Sequence, residues 1–258
     1  MPRLRFHSYD TPFKVVDIQN NGHSLMVSPL NQKQSISGKS QETILSIYNV
    51  YSLGASLRNS YNFEQLHFHW GNNSNQGSEH EIDGKSYPLE MHLVHYSSKY
   101  KSVSDAVKDN RKDGLAVISV LFELSKHDNE DLEPIIKKTR AVRGEREEVV
   151  SGSGLGGVSL DDLLPKKADK KFFTYSGSLT TPPCAEVVSW IVLKEKSTVS
   201  ERQLNIFRDL HISEGILYKN FRLVQRRCSQ MTFYKILKCM IFRPLQNLNN
   251  RVIFDNHA

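Results

Sequence analysis

Apolar, β-branched and aromatic residues fall into short runs bounded by Gly, Asn, Asp or Pro, at 63–70, 89–96, 115–124 and 187–193. Runs of this length and composition predict strands. Helical signals are fewer. Ser200 with Gln203 makes a capping box ahead of an amphipathic run through Leu204, Phe207 and Leu210, and 130–143 is a second helical stretch with Pro134 near its start. The balance predicts a mainly β chain with peripheral helices, built on a sheet. The stretch SGSGLGG at 151–157 reads as a flexible surface loop rather than a domain linker, because the halves it joins share the predicted strands. Near the end, NFRLVQ at 220–225 is nearly restated as FRPLQ at 242–246, with RRCSQMTFYKILKCMI between them, so 223–241 reads as an insertion.

Composition narrows the picture. At 258 residues, 38% hydrophobic and 24% charged, the chain suits one globular domain over 1–258. Its net charge of +6 is spread among interleaved acidic and basic residues, which indicates a solvated surface and no nucleic-acid partner. Neither the opening MPRLRFHSYDTPFKVV nor any later stretch has a signal-peptide core or the roughly 20 apolar residues of a membrane span, so a soluble chain is expected. Cys184, Cys228 and Cys239 are too few for a disulfide scaffold and match no cysteine-rich zinc spacing.

The chemistry concentrates in histidines. In QLHFHW, His67 and His69 lie two apart, which on a strand puts both imidazoles on one face and Phe68 on the other. His92 in LEMHLVHY can join them from a neighbouring strand, while His95 faces away. Three histidines plus water leave zinc one open, reactive position. A His-x-His pair alone more often serves packing; here Gln65 shares the face of His67 and His69, and Glu90 that of His92, so both can orient ligand imidazoles. A third orienting group, a backbone carbonyl, has no sequence signature. His80-Glu81 lacks a second histidine at metalloprotease spacing and sits in a turn-like SEHEIDG. Glu79 is either a surface acid or the acceptor for a Thr hydroxyl beside the metal site.

YSGSLTTPPCAEVVSW at 175–190 supplies that threonine. With QLHFHWG at 65–71, SEH at 78–80 and LEMHLVH at 89–95, it resembles the α-class carbonic anhydrases, from NNGHS at 20–24 to LNNRVI at 248–253. The resemblance implies a large twisted, mostly antiparallel sheet and a zinc lyase that reversibly hydrates carbon dioxide to bicarbonate and a proton by attack of zinc-bound hydroxide. It implies that His67, His69 and His92 ligate zinc, that Thr180 and Glu79 orient the nucleophile, and that Thr181 and the Thr180 amide lie by the substrate. Val94, Val117, Leu179 and Trp190 match the apolar wall of the carbon dioxide pocket, although each alone would pass as core. His23 matches the proton-shuttle position and Asn21 one that orders the water chain; an ordinary imidazole pKa near 6.5 suits such exchange. The pKa of water on a three-histidine zinc falls far below that of bulk water, to about 7, a drop for which carbonic anhydrase is itself the reference case.

The chain departs from the family pattern in two places. The family's domain begins several dozen residues earlier, with an aromatic-rich stretch and a QSPI-like motif, so this chain is expected to lack an aromatic cluster and part of the cleft's cover. Its C-terminal NFRP-like segment occurs as two imperfect copies, either of which can serve the native position, and MTFYKILKCMIF between them is too short to span a membrane. Two rival readings follow: a non-catalytic binding module like the carbonic anhydrase-related proteins, against which the intact histidine trio argues, and an inactive product of an incomplete chain. Cys184 matches a position that in secreted relatives pairs with an N-terminal cysteine. The expected location is cytoplasmic if the start is genuine and extracellular if the chain is a truncated secreted form. A monomer acting on a small molecule is expected.

Overall fold

The four predicted strands become the middle of one sheet. The computed structural model describes residues 4–30, 44–46, 57, 60–166, 171–213, 215–222 and 254–255; the 223–241 insertion and the second copy at 242–246 lie outside them. In chain order the first strands are β1 (Arg5–His7), β2 (Val16–Asn20), β3 (Leu25–Pro29), β4 (Ile44–Ser46), β5 (Ser60–Trp70), β6 (Leu89–Ser97) and β7 (Leu115–Ser125). They are followed by β8 (Glu148–Ser151), β9 (Phe172–Gly177), β10 (Val188–Leu193), β11 (Ser197–Ser200), β12 (His211–Ile212), β13 (Gly215–Ile216) and β14 (Phe254–Asp255). The main sheet runs β14-β9-β10-β7-β6-β5-β3-β2-β8, with β11 added to β7 and β4 joining β1 to β5; β12 and β13 form a separate hairpin. Pairing is antiparallel except where β7 meets β10 and β11. The expected large, mostly antiparallel sheet is therefore present.

Side-chain alternation divides this sheet into two chemistries. On β6, Leu89, Met91 and Leu93 join the main core with Leu66, Phe68, Ile118 and Phe122, whereas Val94 and Tyr96 belong to a second cluster on the other face. On β5, Tyr61 and Phe63 share the core face with Leu66, Phe68 and Trp70, which simple alternation forbids. A β-bulge between Phe63 and Gln65 supplies the extra residue that switches the parity. Without it, burying Tyr61 and Phe63 would turn His67 and His69 into the core.

Two peripheral helices, Glu133–Thr139 and Glu201–Arg208, seal the core face. The helix α3 (Glu201–Arg208) starts with the expected capping box: the Ser200 hydroxyl accepts the Gln203 N–H at 3.1 Å, and the Gln203 side chain accepts the Ser200 N–H at 3.3 Å. Its Phe207 packs on Phe68 and Trp70, with ring centroids 5.0 and 5.4 Å apart. The stretch predicted over 130–143 is shorter as an α-helix, α2 (Glu133–Thr139), and continues as a 3-10 turn, Arg140–Val142. A further short helix, α1 (Val103–Asp109), is capped by Ser102 and was not anticipated. The reading of 151–157 as a flexible surface loop is corrected in part. Leu155 is fully buried, and Gly154, at φ +59°, passes so close to the Phe13 carbonyl that a Cβ would lie 1.7 Å from its oxygen. This loop is anchored on the core through a position open only to glycine.

His95 faces away from His92, as expected, and is fully buried. Its Nδ1–H donates to the Ala116 carbonyl at 3.3 Å, so Nε2 accepts the Tyr9 hydroxyl proton at 2.6 Å. Burial lowers its pKa to about 4, because a charged ring there would lose its hydration. Between pH 6.5 and 4 the unfolded chain binds a proton at this ring that the folded chain does not, so stability falls as pH falls through that window. We expect urea unfolding to show the native chain losing roughly 3 kcal/mol more than His95→Gln between pH 7 and pH 4. Equal losses in the two proteins would disprove the assignment.

Candidate metal centre

Antiparallel register pairs His67 of β5 directly with His92 of β6, and His69 lies two residues further along the same face of β5. The imidazole centroids are 5.1 Å apart for His67–His69, 5.1 Å for His67–His92 and 4.6 Å for His69–His92. One nitrogen of each ring is engaged. His67 Nδ1–H donates to Gln65 Oε1 at 3.0 Å, His69 Nδ1–H to the Asn220 carbonyl at 3.1 Å, and His92 Nε2–H to Glu90 Oε1 at 2.6 Å. These bonds leave lone pairs on His67 Nε2, His69 Nε2 and His92 Nδ1, and the three residues offer ligand atoms within 4.8 Å of one another. Burial, with the neighbouring His69 and His92, keeps His67 well below its ordinary pKa; burial also lowers that of His92, against the pull of Glu90. Neutral imidazoles are the form that binds metal. His69 Nε2 is buried with no hydrogen-bond partner among the described residues, an orphan that a bound cation would satisfy.

Glu90 organises the site's far side. It is fully buried, and its Oε1 accepts from His92, from His80 Nδ1 at 2.6 Å and from the Ser119 hydroxyl at 2.7 Å. Its Oε2 accepts the backbone N–H groups of Glu79 and His80 at 2.7 and 2.8 Å. Burial works against its ionisation, but the electrostatic pull and the hydrogen bonds of His80 and His92 hold it well below the usual carboxylate range. His80 continues to the Tyr175 hydroxyl at 2.6 Å. The fragment read as turn-like is thus a structural brace, and His80, Ser119 and Tyr175 went unrecognised because each bond joins distant segments.

Glu79 is buried, not a surface acid. Its Oε1 accepts from Arg222 Nε at 2.9 Å, and its Oε2 lies 3.5 Å from His69 Nε2 without a hydrogen-bond partner among the described residues. Burial raises its pKa, but His69 and Arg222 more than offset that and bring it below the ordinary value. Glu79, Thr180 and Thr181 line one cavity of about 590 Å³ with His67, His69 and Gln65. The expected Thr180–Glu79 link is not closed in this arrangement, since Arg222 takes one carboxylate oxygen and the other has no donor among the described residues.

The same cavity receives Asn21 and His23 at its edge, with His23 exposed. Asn21 Oδ1 accepts the N–H groups of His23 and Ser24 at 2.9 and 2.8 Å, so it shapes the loop that presents the imidazole. The apolar quartet is gathered but does not line this cavity. Val94 pairs with Val117 across β6–β7 and Val117 with Trp190 across β7–β10; Leu179, half-buried, packs against the cluster that contains all three. The Trp190 ring meets the His92 ring edge-on at 4.8 Å, so the cluster borders the histidines from the β10 side. Asn220 and Arg222 were missed as individual site residues, although the repeated NFR-like segment marked their neighbourhood.

Three convergent imidazoles beside an open cavity in a large mixed sheet form a group that could hold one metal ion. The chain belongs to the eukaryotic-type carbonic anhydrase family, whose family model matches residues 1–236. It is 36% identical over 248 residues to carbonic anhydrase 5B, mitochondrial, of Rattus norvegicus, covering 95% of this chain and 65% of the relative. It is 34% identical over 251 residues to putative carbonic anhydrase 3 of Caenorhabditis elegans, covering 97% and 80%. Carbonic anhydrase 5A, mitochondrial, of Rattus norvegicus is 42% identical over 178 residues, covering 67% and 56%. The chain thus spans about two-thirds of the length of the mitochondrial 5B relative.

Removing the hub carboxylate should damage both binding and folding. Glu90→Ala leaves five donors unpaired, and the expected outcome is a zinc affinity lower by roughly 10–100-fold, a range carbonic anhydrase itself helped establish, with about 3–5 kcal/mol lost in urea unfolding. Competition with a chelating dye measures the first; an unchanged affinity would remove Glu90 from the metal centre.

Proposed function

We propose that this chain is a zinc-dependent carbonic anhydrase that reversibly hydrates carbon dioxide to bicarbonate and a proton. The observation that carries this reading is the trio of imidazole lone pairs, each aimed by a different partner (Gln65, Asn220, Glu90) towards one point beside a cavity. His67, His69 and His92 would hold zinc, and three neutral nitrogens are the donor set suited to that ion with one position left open. Bound there, zinc supplies a Lewis acid that makes a water nucleophilic near neutral pH.

The remaining roles fall to the chain's own groups. Glu79 Oε2, buried and without a donor among the described residues, is the acceptor we assign to the Thr180 hydroxyl. That bond directs the threonine oxygen's lone pairs toward the nucleophile, so only a nucleophile able to donate a proton is welcomed. The Thr180 amide and Thr181 receive the product oxygens. Val94, Val117, Leu179 and Trp190 back the histidines from the β10 side as one apolar cluster, surroundings suited to a substrate with no net dipole. His23, exposed at the cavity edge and set by Asn21, carries the released proton to buffer.

Stopped-flow hydration of carbon dioxide by the zinc-loaded chain, followed with a pH indicator, tests the reading. We expect turnover that His92→Ala abolishes and a kcat/KM lower by roughly 100-fold in Thr180→Ala. A folded, zinc-bound chain no faster than His92→Ala would overturn it in favour of a non-catalytic binding module.

A further inference from the structure

Asn220 makes more contacts with the site than a chain staple requires. Its backbone N–H donates to the Trp70 carbonyl at 3.1 Å, its Oδ1 accepts the Trp70 N–H at 2.7 Å, and its own carbonyl accepts from His69. These three bonds tie the segment 217–222 to the end of β5. Two more come from the side-chain amide: Nδ2 donates to the Phe68 carbonyl and to the His23 carbonyl, both at 2.9 Å. The two hydrogens of a planar amide point in fixed directions, so satisfying both sets the distance between β5 and the His23 loop. Ser24 makes the neighbouring tie, its hydroxyl donating to the Phe68 carbonyl at 2.6 Å and accepting the Phe68 N–H at 3.1 Å.

We propose that the Asn220 side chain is a positioning residue that fixes the His23 loop relative to the metal-ligand strand, so that one residue sets both a ligand ring and the proton exit. The inference rests on the reading of His23 as that exit. Because the His23 ring is exposed, its reach is set by its backbone, and that backbone is held by Asn21 from within the loop and by Asn220 from across the site. Loosening the second hold spreads the ring over geometries that do not serve proton transfer. The repeated segment sharpens the point. In the copy at 242–246, Ile241 precedes Phe242, where the first copy has Asn220 before Phe221, so the second copy has no amide to offer at this position.

Asn220→Asp separates positioning from stapling. It keeps an oxygen for the Trp70 N–H and the backbone carbonyl for His69, but removes both Nδ2 hydrogens. In the full chain we expect amide exchange at His23 and Ser24 to quicken about ten-fold while Trp70 stays protected. In the zinc-loaded chain under weak buffer, kcat should fall about five-fold more than kcat/KM and recover on adding imidazole. Unchanged exchange at His23, or parallel loss at Trp70 with loss of zinc, would overturn the proposal and leave Asn220 a staple. If exchange quickens at His23 alone but neither Asn220→Asp nor His23→Ala lowers kcat, the anchoring stands and the proton-exit reading fails. Should the aspartate variant not fold, Asn220→Ser, whose hydroxyl is too short to reach the His23 carbonyl, reads the same quantities.

Discussion

A carboxylate buried in the middle of a sheet has to be surrounded by donors, and Glu90 organises much of this molecule on that account. An ion without water is tolerated only where nearly every lone pair is met. Glu90 meets five donors, drawn from β6, from β7 and from the 79–80 segment. Satisfying them fixes the tautomer of His92, brings Ser119 into line, and folds the chain at Glu79 and His80 back onto the sheet. Glu79 then reaches the cavity, and His80 reaches Tyr175 on β9. One electrostatic requirement thereby places a candidate metal ligand, a site acid and a brace between sheet elements.

The metal centre shows a division of labour between its two sides. On the β6 side a charged acceptor sets His92; on the β5 side an amide and a backbone carbonyl set His67 and His69 without adding charge. A neutral ring with a strong acceptor behind it is a better electron donor than one with an amide. The segment 217–222 contributes twice, since Asn220 sets His69 and Arg222 holds Glu79 from the opposite direction. The first of the two NFR-like copies therefore occupies the site.

Much of the architecture was legible because it depends on local pattern. The central strands follow from short apolar runs, α3 from Ser200 and Gln203 three apart, and the shared face of His67 and His69 from their spacing. Gln65 and Glu90 were readable for the same reason: each sits two residues from the ring it orients. The parity switch at Phe63/Gln65 was not, because a bulge is a property of the pairing between strands rather than of either strand. The 151–157 loop was read only in part: Gly and Ser suggest freedom, while the burial of Leu155 depends on what lies beneath it.

The amino-acid order thus established the donor set, the period that aligns it and the class of fold that carries it. What it left open was every bond spanning tens or hundreds of positions: the Asn220 carbonyl behind His69, Arg222 on Glu79, His80 between Glu90 and Tyr175, and the Asn220 amide on His23. Spacing rules describe residues held by the same stretch of backbone, whose geometry a strand or helix repeats. Contacts between stretches depend on how the sheet closes around its buried charges, and that closure exists only once the whole chain has folded.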